Sequence, residues 1–146
     1  MTLENEVQSL RQVPMFRDID PARLKLLAFT SERVTFTDGQ RFFTQGDVGD
    51  AAYVILDGAA DVLLETAHGQ LKVAEFGRND LIGEMAVLAE TPRSATITAV
   101  GDVVALRIDK RVFIELLAQF PQMAIAVMRE IATRLERTNA RLASRN

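Results

Sequence analysis

The stretch Leu81-Ile82-Gly83-Glu84-Met85-Ala86-Val87-Leu88-Ala89-Glu90-Thr91-Pro92-Arg93-Ser94-Ala95-Thr96 decides how the rest of the chain is read. Glu84 to Ala89 favours helix, and Thr91-Pro92 closes it, because the residue before a proline is pushed out of the α region. The flanks carry the β-branched and aromatic residues that suit strands. A short helix set into a β region is expected, with Gly83 at its start and Arg93 on the return to strand.

Working outward, the residues from Arg33 to Ile108 gather into short β-type runs at a spacing of about ten. These are Val34 to Thr37, Arg41 to Thr44, Ala52 to Leu56, Ala60 to Glu65, Leu71 to Phe76, Ala95 to Val100 and Val103 to Ile108. Turn dipeptides Asp38-Gly39, Asp57-Gly58 and His68-Gly69 join them. A β-sandwich or a barrel-like roll both fit. Before the roll, Leu3, Val7 and Leu10 have helical spacing, and a second short helix starts with Asp20 as N-cap and Pro21 in its first turn. After Asp109 the pattern is helical, with one helix over Lys110 to Ala118 and a longer one from Pro121. On the last helix Met128, Ile131, Leu135, Thr138 and Leu142 form a short heptad seam. About 25 helical residues reach roughly 37 Å, more than so small a core needs, so the far end is expected to meet a partner. Residues 1–146 read as one domain, with helices over 1–30, the roll over 31–109 and helices over 110–146.

Composition narrows the function. A chain of 146 residues can bury roughly 70% of its unfolded surface without disulfide or metal staples. There is no Cys, so thiolate metal sites and Cys nucleophiles are excluded. The only His is His68, beside a turn glycine, so a His-x-His metal site of the cupin type cannot be built, a Ser/His/Asp triad would depend on that same turn residue, and no G-x-S-x-G elbow accompanies it. No phosphate-binding G-x-x-x-x-G-K-[ST] loop occurs. Seventeen basic against 20 acidic side chains give a net charge of −3, which argues against a nucleic-acid-binding surface, although the end from Arg129 onward is locally basic. No uncharged run approaches the roughly 20 apolar residues of a membrane helix. A cytoplasmic, non-enzymatic protein with neither membrane nor direct DNA contact is expected.

The chemistry returns to the opening stretch. Gly83 lets backbone come close to a ligand, and the helix start presents unpaired amide N–H groups that suit a phosphate. Arg93, projected from a rigid Pro92-Arg93 corner, can close on the same anion with paired hydrogen bonds. Glu84 would repel a phosphate unless its carboxylate accepts from another group, such as a sugar hydroxyl. Together they suit a ribose phosphate. Singly, Glu84 also fits a helix-dipole role, Arg93 a surface ion pair and Gly83 a plain turn.

The stretch closely resembles the phosphate-binding cassette of the cyclic-nucleotide-binding domain family, roughly F-G-E-[LIM]-A-L-[LI]-x-x-x-P-R-x-A-[TS], with Ile82 at the place of the Phe. A second family pattern is matched by Gly39, Phe42, Phe43, Gly46, Asp47, Gly49, Asp50, Tyr53, Ile55 and Gly58. The resemblance covers essentially the whole chain. It implies a mainly β fold with flanking α: an eight-stranded β-roll of the jelly-roll or double-stranded β-helix type, with N-terminal helices, a short internal phosphate-binding helix and a long C-terminal helix. It further implies that Arg93 pairs with the exocyclic phosphate oxygens and that Glu84 accepts from the ribose 2′-hydroxyl. Backbone N–H groups around Gly83, Met85 and Ala86 would cradle the phosphate, and Ser94 would touch phosphate or base. Thr138-Asn139 stands where the catabolite-activator-like members of the family meet the adenine edge, and Asn offers both donor and acceptor. Arg134, Arg137 or Arg141 stacking on the purine is the alternative, and a solvated Asn139 the bland one.

The implied function is a sensor for cAMP, with cGMP as the other candidate and no cofactor. Binding would move the C-terminal helices and signal through an effector protein, within a homodimer formed by the last helix. The regulators of this family carry a helix-turn-helix after that helix and this chain ends at Asn146, so no DNA reading is expected of it. A β-roll interaction module with an unused pocket is the competing reading; a cupin-like catalyst is a third, disfavoured by the lone His68.

Overall fold

A computed structural model describes residues 2–144, without the side chains of residues 134, 135 and 137–144. Helix α1 is Leu3–Gln12, opened by the Thr2 hydroxyl accepting from the Asn5 N–H at 3.2 Å. A 3-10 turn, Pro14–Phe16, leads to α2, Pro21–Thr30. There Asp20 accepts from the Arg23 N–H at 3.0 Å and Pro21 occupies the first turn, where its missing N–H has no intrahelical partner to lose. The strands are β1 (Glu32–Phe36), β2 (Arg41–Phe43), β3 (Ala51–Thr66), β4 (Gly69–Phe76), β5 (Leu81–Ile82) and β6 (Thr96–Asp109). Helix α3 (Glu84–Ala89) interrupts them, and α4 (Lys110–Gln119) and α5 (Pro121–Ser144) follow. Among the described residues no single helix is long and apolar enough to cross a membrane.

The sheet is antiparallel throughout, in the order β1-β6-β3-β4, with β2 also paired to β6 and β5 to β3. The mainly β architecture with flanking helices is as expected, but the eight strands resolve into six among the described residues. Ala52 to Leu56 and Ala60 to Glu65 are one strand, β3, and the two runs flanking Gly101 are one strand, β6. The reason lies at Asp57-Gly58. That dipeptide reads as a hairpin turn, yet here it is a bulge: Asp57 faces Val104 while Ala59 faces Val100. Gly58 has φ +104°, and a Cβ there would stand 2.7 Å from the Asp102 carbonyl oxygen. The strand bends sharply without reversing.

Two apolar layers lie on either side of this sheet. In β3 every residue from Ala51 to Leu56 is buried, the signature of a strand covered on both faces. Ala52, Val54 and Leu56 pack with Leu10, Phe16, Leu24, Phe113 and Met123 of the helices. Ala51, Tyr53 and Ile55 point into the roll with Phe36, Phe42, Ile82, Ile97 and Ala105. Inside, Phe36 and Phe42 stack with centroids 4.0 Å apart and Tyr53 meets Phe42 edge-on at 5.5 Å. The chain turns by 107° between α4 and the first half of α5. On α5, Met123 and Val127 are buried, whereas Ile125 and Met128 face outward. Ile131, expected in the outward seam, is half-buried against the chain's own helical core.

Candidate functional site

The site is built from two loops that clasp each other. Between β2 and β3, the Asp47 carboxylate accepts from the Thr44 N–H at 3.0 Å while the Asp47 N–H donates to the Thr44 carbonyl at 3.0 Å, which closes a tight turn. The Arg93 N–H donates to the Asp47 carbonyl and the Gly46 N–H donates to the Arg93 carbonyl, both at 2.8 Å. Beside this clasp, the fully buried Thr96 hydroxyl accepts from the Gln45 N–H at 2.9 Å. The two sequence motifs, separate along the chain, thus become one backbone frame around Arg93.

Arg93 is only 2% exposed. Its Nη1 donates to the Gly83 carbonyl at 2.7 Å and its Nη2 to the Ala51 carbonyl. The guanidinium carbon lies 3.9 Å from the centroid of the Phe43 ring, and the Asp50 carboxylate stands 3.7 Å from Nη2. The buried Nε has no hydrogen-bond partner among the described residues. Burial pushes the guanidinium pKa below its ordinary value, and the nearby Asp50 opposes that push. Asp50 also bridges to Arg107 at 3.3 Å. At Arg107 partial burial acts to lower the pKa, but the Tyr53 phenol and Asp50 outweigh it and hold the group above its ordinary value.

Gly83 precedes α3 at φ +80°, where an L side chain is strained, and a Cβ there would stand 2.4 Å from Arg93 Nη1. Glycine is what allows the guanidinium to lie against the backbone. Glu84, the first residue of α3, is 5% exposed. A cavity of about 160 Å³ opens here, and all six cassette residues expected from the sequence, Gly83, Glu84, Met85, Ala86, Arg93 and Ser94, line it. Val62, Phe76, Leu81 and Ile97 add an apolar wall. The chamber combines a buried cation with a free N–H, a buried carboxylate and an apolar side, which suits an anion attached to a hydroxylated, partly apolar body.

Thr138 and Asn139 fall on α5, but their side chains lie outside the described residues, as do those of Arg134, Arg137 and Arg141. His68 is exposed in the β3–β4 turn, and among the described residues no group of three His, Asp or Glu could hold a metal. Sequence reasoning assigned no role to Phe43, Asp50 or Arg107. Phe43 and Asp50 stand inside the second family pattern, so a signal existed for them; Arg107 carried none, because its place beside Asp50 depends on the β3–β6 register.

The family profile described as cyclic nucleotide-binding domain matches residues 33–120, which run from β1 through α4. The chain belongs to the cyclic nucleotide-binding domain family. Among its relatives, the cAMP-dependent protein kinase regulatory subunit of Dictyostelium discoideum is 36% identical over 118 residues, covering 78% of this chain and 36% of that protein. The chain therefore spans about a third of that relative's length. The catabolite activator protein of Thermus thermophilus superposes with a TM-score of 0.81 at 28% identity, covering 89% of this chain and 62% of that one. The N-terminal domain of a transcriptional regulator from Streptomyces coelicolor gives a TM-score of 0.74 at 32% identity, covering 90% of this chain and 95% of that domain. The β-roll, the cassette and the flanking helices of a cyclic nucleotide-binding regulatory domain are thus accounted for.

Proposed function

We propose that this chain is a non-enzymatic sensor of a cyclic nucleotide, cAMP in first place and cGMP as the alternative, that needs no further cofactor. Arg93 carries this reading: a guanidinium almost wholly removed from water, with Nε unbonded, lines a cavity whose rim is the glycine-initiated helix α3. A buried donor without an acceptor is costly, and an entering phosphate oxygen supplies that acceptor. In this reading Glu84 accepts from the ribose 2′-hydroxyl, the amides around Gly83, Met85 and Ala86 hold the phosphate, and Ser94 touches phosphate or base. Thr138 and Asn139 of α5 read the base. Residues 1–146 act as one unit in the cytoplasm. Helices α4 and α5 shift on binding, α5 pairs with that of a second copy, and an effector protein senses the change.

Calorimetric titration with cAMP and with cGMP, beside Arg93→Leu, tests this. Micromolar or tighter binding is expected for the wild type, weakened roughly thirty- to several-thousand-fold in the variant, the loss typical when one partner of a buried charge pair is removed. The exposed Ile125 and Met128 on α5 favour a second reading, a dimerisation module whose pocket is unused. Absence of binding to the folded wild-type chain selects it.

A further inference from the structure

Phe43 sits at the margin of the aromatic cluster of the roll, its ring centroid 6.2 Å from that of Tyr53, and reaches the cavity that the buried rings do not line. Phe36, Phe42 and Tyr53 are buried in one another's company, whereas Phe43 is half-buried, lines the cavity and carries the Arg93 guanidinium over its ring at 3.9 Å. A Cβ on Gly83 would collide with Arg93 Nη1 at 2.4 Å and crowd Phe43 Cε2 at 3.0 Å. The ring and the bare glycine therefore bound one narrow space, and the guanidinium fills it.

We propose that Phe43 is a positioning residue for nucleotide binding: its ring and the backbone of Gly83 form a slot that fixes the Arg93 guanidinium in a single plane at the cavity wall. This rests on the reading that Arg93 receives the phosphate. The physical case has three parts. A long arginine side chain that is already held loses less freedom when the ligand arrives, so its hydrogen bonds count more fully toward affinity. The negative face of the ring offsets part of the cost of burying the cation, where the carboxylate of Asp50, at 3.7 Å and 66% exposed, does so weakly. A slot this flat admits a planar guanidinium and suits the tetrahedral ammonium of lysine poorly.

The test is calorimetry with cAMP on the full chain carrying Phe43→Leu, Phe43→Tyr, and phenylalanine bearing one, two or three ring fluorines introduced at position 43 alone. Fluorination weakens the ring's negative face while nearly preserving its shape, so a purely structural ring would not respond to it. Phe43→Leu is expected to weaken binding roughly 3- to 30-fold and Phe43→Tyr by no more than about twofold, with affinity falling stepwise along the fluorine series. If Phe43→Leu fails to fold, the fluorine series alone decides. A flat series, or a folded Phe43→Leu protein with wild-type affinity, overturns the role of Phe43 while leaving the sensor reading in place. Failure of the wild type to bind either nucleotide overturns both.

Discussion

Arg93, in the loop that leads into β6, and Lys72, on β4, each sit among acidic side chains. Arg93 has Asp50 at 3.7 Å, with Arg107 on the far side of that carboxylate; Lys72 has Asp61 at 3.2 Å and Glu75 closer still. By ion-pair distance the Lys72 cluster looks stronger, yet it lies in solvent on the edge strand β4, where screening and side-chain entropy leave such pairs little net effect. Arg93 has the longer ion pair and the greater leverage, because it is buried and bonded to backbone on two elements. Burial and backbone frame, more than pair distance, separate a charge that only decorates a strand from one fixed at the wall of a cavity.

Substitutions can break this contrast, and their effects should descend in a set order. Arg93→Leu comes first: besides the loss of nucleotide affinity, it strips donors from the Ala51 and Gly83 carbonyls, and a thermal melt should show destabilisation of about 1–3 kcal/mol. Glu84→Ala should weaken cAMP roughly ten- to hundredfold while barely changing the affinity for 2′-deoxy-cAMP. Equal discrimination of the two sugars by wild type and variant would remove Glu84 from the sugar site. Gly83→Ala should cost about 1–2 kcal/mol for its left-handed backbone alone, read by melting, and should also displace the guanidinium and lower affinity.

Asp50→Asn should weaken nucleotide binding by no more than about fivefold, since Asp50 is 66% exposed and its field is screened. Lys72→Met should leave affinity unchanged and the melting temperature nearly so. The sign of its pH dependence sharpens the comparison. Glu75 is held below its ordinary value by the Lys72 hydrogen bond, so its small contribution is present above the usual carboxylate range and lost as pH falls through the lowered value. Lys72 is held above its ordinary value by Glu75 and Asp61, so its contribution is present below the usual lysine range and lost as pH rises through the raised value. Melts of wild type and Lys72→Met should therefore run parallel through neutral pH and converge only at the acid and alkaline extremes.

Much of this was legible in the linear chain because the decisive features are local. The N-cap at Asp20, the proline starts of α2 and α5, and the glycine-initiated α3 are settled by neighbours within a few positions. The cassette residues were found together because they are consecutive or nearly so. What escaped was long-range. The Asp57-Gly58 dipeptide has the same local chemistry in a hairpin and in a bulge, and only the opposing β6 backbone at Asp102 tells them apart. Likewise, the pairing of Arg93 with Phe43, and of Asp50 with Arg107, follows from a sheet register and a loop clasp that no short window of sequence contains. Ile131 fitted the heptad spacing, but that spacing does not say whether a face meets a partner or the chain's own core.

The 107° corner between α4 and α5 also sets a mechanical gear ratio. Helix α5 has 24 residues and so extends about 36 Å from Pro121. Rotation at that corner by about 10° sweeps the far end through roughly 6 Å, more than a full helical turn of travel. If the corner pivots as proposed, a displacement of a few tenths of an ångström beside the roll would be multiplied along the arm, and a second molecule gripping its distal part would feel ångströms.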